Sequence, residues 1–187
     1  NSPYQWTDAD CDWQIDSTAL IYAVRHNCPK MVKVLLEVEK DLHQALDVAI
    51  RQGYPSVVEE LIKGGADINY VNEYKDTPLI IAVEHAYPHK NCKDPSRQKQ
   101  KIIQTLLEAG ADVSHVNKHG RTALMQAVVE HDLDTVQSLL KDPKINCSSF
   151  FGFATKPVNY ADEDGNTALM LAIKYVRYLY IGNQEYN

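Results

Sequence analysis

The residue types that could do chemistry are present but not set out for it. His85, His89 and Cys92 follow the spacing H-x3-H-x2-C, which offers imidazole and thiolate ligands to zinc. A structural zinc site takes four protein ligands, and this motif supplies three. Seven histidines and four cysteines also offer nucleophile and base pairs. None sits in a Ser-, Cys- or Gly-rich catalytic signature, and there is no P-loop or dinucleotide fingerprint. No catalytic residue, metal site or cofactor is therefore expected. The chemistry left to explain is that of a binding surface.

Bulk properties narrow the partners. The 187 residues are 44% hydrophobic and 24% charged, enough apolar material for a core and too little charge for a disordered polyelectrolyte. A formal net charge of -6 argues against nucleic acid, which calls for a concentrated positive surface. No apolar run approaches the roughly 18 residues of a membrane span. The scattered cysteines, Cys11, Cys28, Cys92 and Cys147, read as reduced thiols of a cytoplasmic protein. With Asn1 at its start and no signal-like segment, the chain is expected to be an excised piece of a larger protein.

The elements that must carry a surface repeat along the chain. Thr18-Ala19-Leu20, Thr77-Pro78-Leu79, Thr122-Ala123-Leu124 and Thr167-Ala168-Leu169 each open an apolar stretch with Ala five residues after the Thr. These alanines are Ala23, Ala82, Ala127 and Ala172. A second apolar run ends in a pair: Leu35-Leu36, Leu61-Ile62, Leu106-Leu107 and Leu139-Leu140. Two units close with Gly-Ala-Asp-aliphatic, at Gly65 to Ile68 and Gly110 to Val113.

This pattern resembles the ankyrin repeat, with its period of about 33 residues and its T-P-L-x-x-A opening. The resemblance covers nearly the whole chain. It implies an all-α solenoid of stacked antiparallel helix pairs with finger loops, in one domain over 1–187. The approximate repeats are 9–43, 44–69, 70–115, 116–157 and an incomplete 158–187. Each Thr is expected to cap an inner helix, and the aliphatic pairs, Leu107 among them, to form the seam between repeats. Gly closing the second helix is expected to take the left-handed conformation.

The register also exposes irregularities. Gln44-Ala45-Leu46 follows Thr18 by only 26 residues, so the finger between repeats one and two is missing. Thr77 to Thr122 and Thr122 to Thr167 are each 45 residues, which places insertions around 87–98 and 147–157. Between the helices of a unit only Gly53 is retained; Asn27 takes the same conformation readily and His131 less so. The position after T-x-L, commonly His in the family, is Ile21, Ile80, Met125 and Met170. Loss of that polar link predicts a less rigid stack.

In such stacks a partner usually lies on the finger tips and the concave face of the inner helices. Carried over by position, the fingers give Glu73, Tyr74 and Asp76, then Lys118, His119 and Arg121, then Glu163, Asp164 and Asn166. The inner helices give Arg25, His26, Arg51, Gln52, Glu84, His85, Val129, Glu130, Lys174 and Tyr175. The first insertion is basic, with Lys90, Lys93, Arg97, Lys99 and Lys101 over 88–101, and suits steering of an acidic partner. It holds no apolar anchor and is expected to be a mobile loop. The second holds the only three Phe of the protein, Phe150, Phe151 and Phe153, which either fold back onto the stack or anchor a partner.

Two further implications come from the resemblance. Leu61, Asp67, Ile68 and Asn69 fit the L-x5-D-aliphatic-N pattern on which an asparaginyl hydroxylase acts in ankyrin proteins, making Asn69 a modification site and the hydroxylase a partner. The degenerate repeats and the Tyr-, Asn- and Lys-rich usage are similar to ankyrin-containing effectors that intracellular bacteria deliver into the host cytosol. The leading expectation is a protein-interaction scaffold that is not itself an enzyme. The alternative is the substrate-targeting arm of an enzyme whose catalytic domain lies outside the chain.

Overall fold

The computed structural model describes residues 18–39, 42–85, 94–142 and 159–174. Eight helices follow in order: α1 (Ala19–Arg25), α2 (Pro29–Leu35), α3 (His43–Arg51), α4 (Pro55–Lys63), α5 (Pro78–His85), α6 (Pro95–Glu108), α7 (Ala123–Val129) and α8 (Leu133–Lys141). A ninth helical stretch occupies 168–174. Consecutive helices pair, α1 with α2 through α7 with α8. The odd-numbered inner helices stack on one another, and so do the even-numbered outer ones. The chain is thus an all-α repeat solenoid, and among the described residues the only β feature is one bridge between Ala161 and Thr167.

Local sequence explains where the helices start. Thr18 and Thr122 extend the backbone and accept from the N–H of Ile21 (3.4 Å) and Met125 (3.3 Å), and Thr167 accepts from Met170 (3.4 Å). Thr77 departs from the expected cap: its Oγ1 is buried without a hydrogen-bond partner. The outer helices α2, α4 and α6 open with Pro, which loses nothing where the first N–H groups have no intrahelical acceptor. At the turns between paired helices, Asn27, Gly53 and His131 all take positive φ (50°, 71° and 57°). Asn27 and His131 therefore adopt a conformation that costs a side-chain-bearing residue about 1 kcal/mol or more.

One core runs the length of the stack. The central inner helix α5 buries five consecutive residues, Leu79 to Val83, because α3, α6 and α7 all pack against it. Two expectations are corrected here. In three of the four seam pairs the first member is the core residue: Leu61, Leu106 and Leu139 are fully buried, whereas Ile62 and Leu107 are half-buried and Leu140 is exposed; in the first pair Leu35 and Leu36 are both half-buried. The basic insertion is not a loop throughout, since residues 95–101 lengthen α6 by two turns. Two of its lysines reach neighbouring repeats, Lys99 Nζ to Asp132 Oδ2 (2.9 Å) and Lys101 Nζ to Glu59 Oε1 (3.0 Å). These cations serve as struts along the outer face. Arg97 is exposed, and Lys90 and Lys93 lie outside the described residues.

Candidate functional site, the concave groove

Three fingers project from the stack, over 70–77, 115–122 and 160–167, and one repeated device builds them. Asn72 Oδ1 accepts from the N–H groups of Tyr74 and Asp76 (both 2.9 Å). Asn117 Oδ1 does the same for His119 (2.9 Å) and Arg121 (3.1 Å), and Asp162 Oδ1 for Asp164 (3.1 Å) and Asn166 (2.8 Å). A backbone bond from each of these residues to the one four positions on closes the loop. The turn needs a positive φ at its fourth position, met by Lys75, Gly120 and Gly165. Neighbouring fingers are stitched by Lys118 N–H to Tyr74 C=O (3.4 Å) and Glu163 N–H to His119 C=O (3.3 Å). His115 Nε2 also bonds the Lys75 carbonyl at 2.9 Å.

Ile21, Ile80 and Met125, which stand where the family commonly has His, are all buried apolar residues.

Where the first and second fingers meet the inner helices lies a groove of about 380 Å³, lined by Arg51, Tyr74, Asp76, Glu84, Asn117, Lys118 and His119. The fold brings them together from three repeats. Arg51 ends α3 and Glu84 lies near the end of α5, while the others belong to fingers. Lys118 Nζ stands 4.7 Å from the centroid of the half-exposed Tyr74 ring, a cation–π contact across two fingers. Asp76 and Asn117 are buried, at 6% exposure each.

On α3, within electrostatic reach of Arg51 and Asp76 of the lining, lies Asp47, with Oδ1 buried and unpartnered. Burial pushes its carboxyl up to about 6; Arg51 and His43 oppose the rise and the charge of Asp76 adds to it. His43 in turn stacks on Tyr70, with ring centroids 4.6 Å apart.

Of the sequence-derived surface residues, Arg51, Tyr74, Lys118 and His119 share this groove, together with Asp76 and Glu84. Arg25 and His26 are exposed at the end of α1, away from it, with His26 stacked on Tyr22 at 4.3 Å. Glu73 and Asp164 are exposed on finger tips. Arg121 is drawn into the stack, its Nε 3.9 Å from Asp162 Oδ2. Glu130 is exposed and accepts from Gln126 Nε2 at 3.2 Å. The side chains of His85 and Tyr175, and the residues Phe150, Phe151 and Phe153, lie outside the described residues.

Asn69 is exposed, and its Oδ1 accepts from the Asp112 N–H at 2.8 Å, bridging two repeats. Sequence reasoning missed Asn117 and Asp47. The recurrence of Asn72, Asn117 and Asp162 at 45-residue intervals was the available signal for the first. Nothing local marks the second.

Of the H-x3-H-x2-C motif, the His85 side chain, His89 and Cys92 also lie outside the described residues. Among the described residues no group of three or more His, Cys, Asp or Glu is placed to hold a metal ion, and no helix is long and apolar enough to cross a membrane. A family model described as ankyrin repeats (3 copies) matches the chain over residues 4–72, 46–150 and 96–187. No curated protein matches it.

Proposed function

The chain belongs to the ankyrin-repeat family, whose domains generally mediate protein–protein interaction and are typically non-catalytic, and we propose that this one is a scaffold whose partner lies along the fingers and in the concave groove. The observation that carries the reading is the groove itself. Its half-exposed Tyr74, with Lys118 and His119, sits on a backbone frame held by Asn72 and Asn117, so these three side chains are free of any duty in the core. A rigid frame presenting Tyr and cationic side chains has the character of an interface hot spot, because little entropy is lost on binding.

The test is to replace Tyr74, Lys118 and His119 by Ala together and measure capture of a partner isolated with the wild-type chain. Affinity should fall by about tenfold or more while the melting temperature stays within a few degrees. Unchanged capture would place the interface elsewhere. We also propose a cytoplasmic setting, and Asn69 as a hydroxylation site. Incubation with the hydroxylase, iron and 2-oxoglutarate should add one oxygen to the wild-type chain and not to Asn69→Ala.

A further inference from the structure

The first helix pair is surfaced like an interior one, although among the described residues nothing stacks before it. Each later outer helix buries two positions fully: Val57 and Leu61 in α4, Ile102 and Leu106 in α6, Thr135 and Leu139 in α8. Thr135 shows which way this face points, since its Oγ1 accepts from Gln100 Nε2 on the preceding outer helix, α6, at 2.8 Å. The matching residues of α2 are Met31, 53% exposed, and half-buried Leu35. The inner helices agree. Tyr22 is 56% exposed, and its place is taken later by half-buried Val48 and by Ile81, Gln126 and Leu171, all buried. Val34, 65% exposed, stands where Glu60, Thr105 and Ser138 follow, so α2 is less polar here than helices inside the stack. A solvated end of a solenoid would be more polar, not less.

Residues 1–17 lie outside the described residues and run directly into Thr18, the cap of α1. From 8 to 16 they alternate strictly, with Ala9, Cys11, Trp13 and Ile15 set between Asp8, Asp10, Asp12, Gln14 and Asp16. A period of two gives an extended segment one apolar and one acidic side. At about 3.3 Å per residue this stretch reaches about 30 Å, enough to cross two helices each about 10 Å wide.

We propose that residues 8–16 lie extended across α1 and α2, with Cys11, Trp13 and Ile15 on Tyr22, Met31 and Val34, and so close this end of the stack. The apolar side of the segment and the apolar face of the helices each lack cover, and burying one against the other removes both from water. The chain itself holds the segment beside the face, at an effective concentration on the order of millimolar, which favours it over a second copy or a separate partner. Charge at the rim is mixed, Arg25 and Lys30 with Glu37, so the acidic side is left to solvent.

The test uses the full chain with Trp6→Phe, which leaves Trp13 as its one tryptophan. Trp13 emission should be blue-shifted and several-fold less quenched by acrylamide than in the urea-unfolded chain. Alkylation followed by mass spectrometry should find Cys11 several-fold slower to react than the exposed Cys28. Met31→Glu with Val34→Glu should move the emission toward its unfolded position and speed Cys11, with the helical circular dichroism kept. Leu133→Glu, at an exposed site on α8, should change neither. If the double variant loses its helices, Val34→Glu alone decides, because α4 carries Glu60 at that place.

Trp13 emission at the unfolded position, or protection that survives Val34→Glu, would overturn the proposal. So would a Cys11 as reactive as Cys28, which would deny the extended register. Protection lost on dilution, in step with a dimer seen by sedimentation, would assign the face to a second copy instead.

Discussion

The junction between the first two repeats and the junctions further along are built differently. Seven residues separate α2 from α3, and fourteen separate α4 from α5 and α6 from α7. The longer connections hold a finger with its Asn72 or Asn117 frame and with bonds to the next finger. The short one has no room for it, and the tie across repeat one is Leu20 N–H to Glu39 Oε1 at 3.3 Å. Packing follows the same division: α2 buries Val32 alone, with Leu35 and Leu36 half-buried, whereas α6 fully buries Ile102, Ile103 and Leu106. Helix stacking is enough to continue the solenoid, but the fingers lock it and create the groove. Native-state hydrogen exchange should accordingly show α1 and α2 opening before α5 to α7.

Substitutions can break or sharpen this contrast. The largest effect is expected in the seam of the fingered half, where Leu106→Ala should cost about 2–5 kcal/mol in urea unfolding. Leu107→Ala should cost less than half as much, and equal losses would mean that the seam is wrongly placed. Next comes the finger frame. Asn117→Ala removes the acceptor of two backbone N–H groups in a buried position and should cost about 1–3 kcal/mol, with faster exchange at His119 and Arg121.

Gly120 and Gly165 sharpen the same point, since both have positive φ. A Cβ at Gly120 would come within 3.0 Å of the Glu163 backbone nitrogen of the next finger, and one at Gly165 would meet nothing within 4 Å. Gly120→Ala should therefore cost more than Gly165→Ala, which should cost about 1 kcal/mol from φ strain alone.

The outer face offers smaller tests. Burial alone would raise the Asp132 carboxyl, but hydrogen bonds from Lys99 and Thr135 outweigh it and hold it below the usual carboxylate value. A depressed carboxyl contributes stability above its unfolded pKa and loses it as pH falls through the folded value. Lys99→Met should cost about 1 kcal/mol at neutral pH, with the difference shrinking in acid.

The smallest effect has the opposite sign. Asp47 is raised to about 6 from 3.8, so its proton binding favours the fold at low pH, and that contribution is lost as pH rises through 6. Asp47→Asn should then stabilise the chain above about pH 6, by on the order of 1 kcal/mol after allowance for solvent screening, and the gain should fade toward pH 4. Destabilisation at pH 7.5 would show that Asp47 has a partner after all.

Much of the fold was legible in the chain, because its determinants are local. A Thr three residues before the N–H it caps, Pro opening an outer helix, and Gly53, Asn27 or His131 ending an inner one act within a single turn. The missing finger could be counted from the spacing of Thr18 and Gln44. What the tertiary structure alone decided are the interactions between repeats. Leu106 and Leu107 are chemically identical, and only the angle of α6 against its neighbours buries the first. Lys99 and Lys101 read as loop charges until α8 and α4 bring Asp132 and Glu59 to them. The groove gathers Arg51, Asp76 and His119 from three repeats, and the unpartnered Oδ1 of Asp47 acquires its cost only when burial removes the water that would otherwise solvate it.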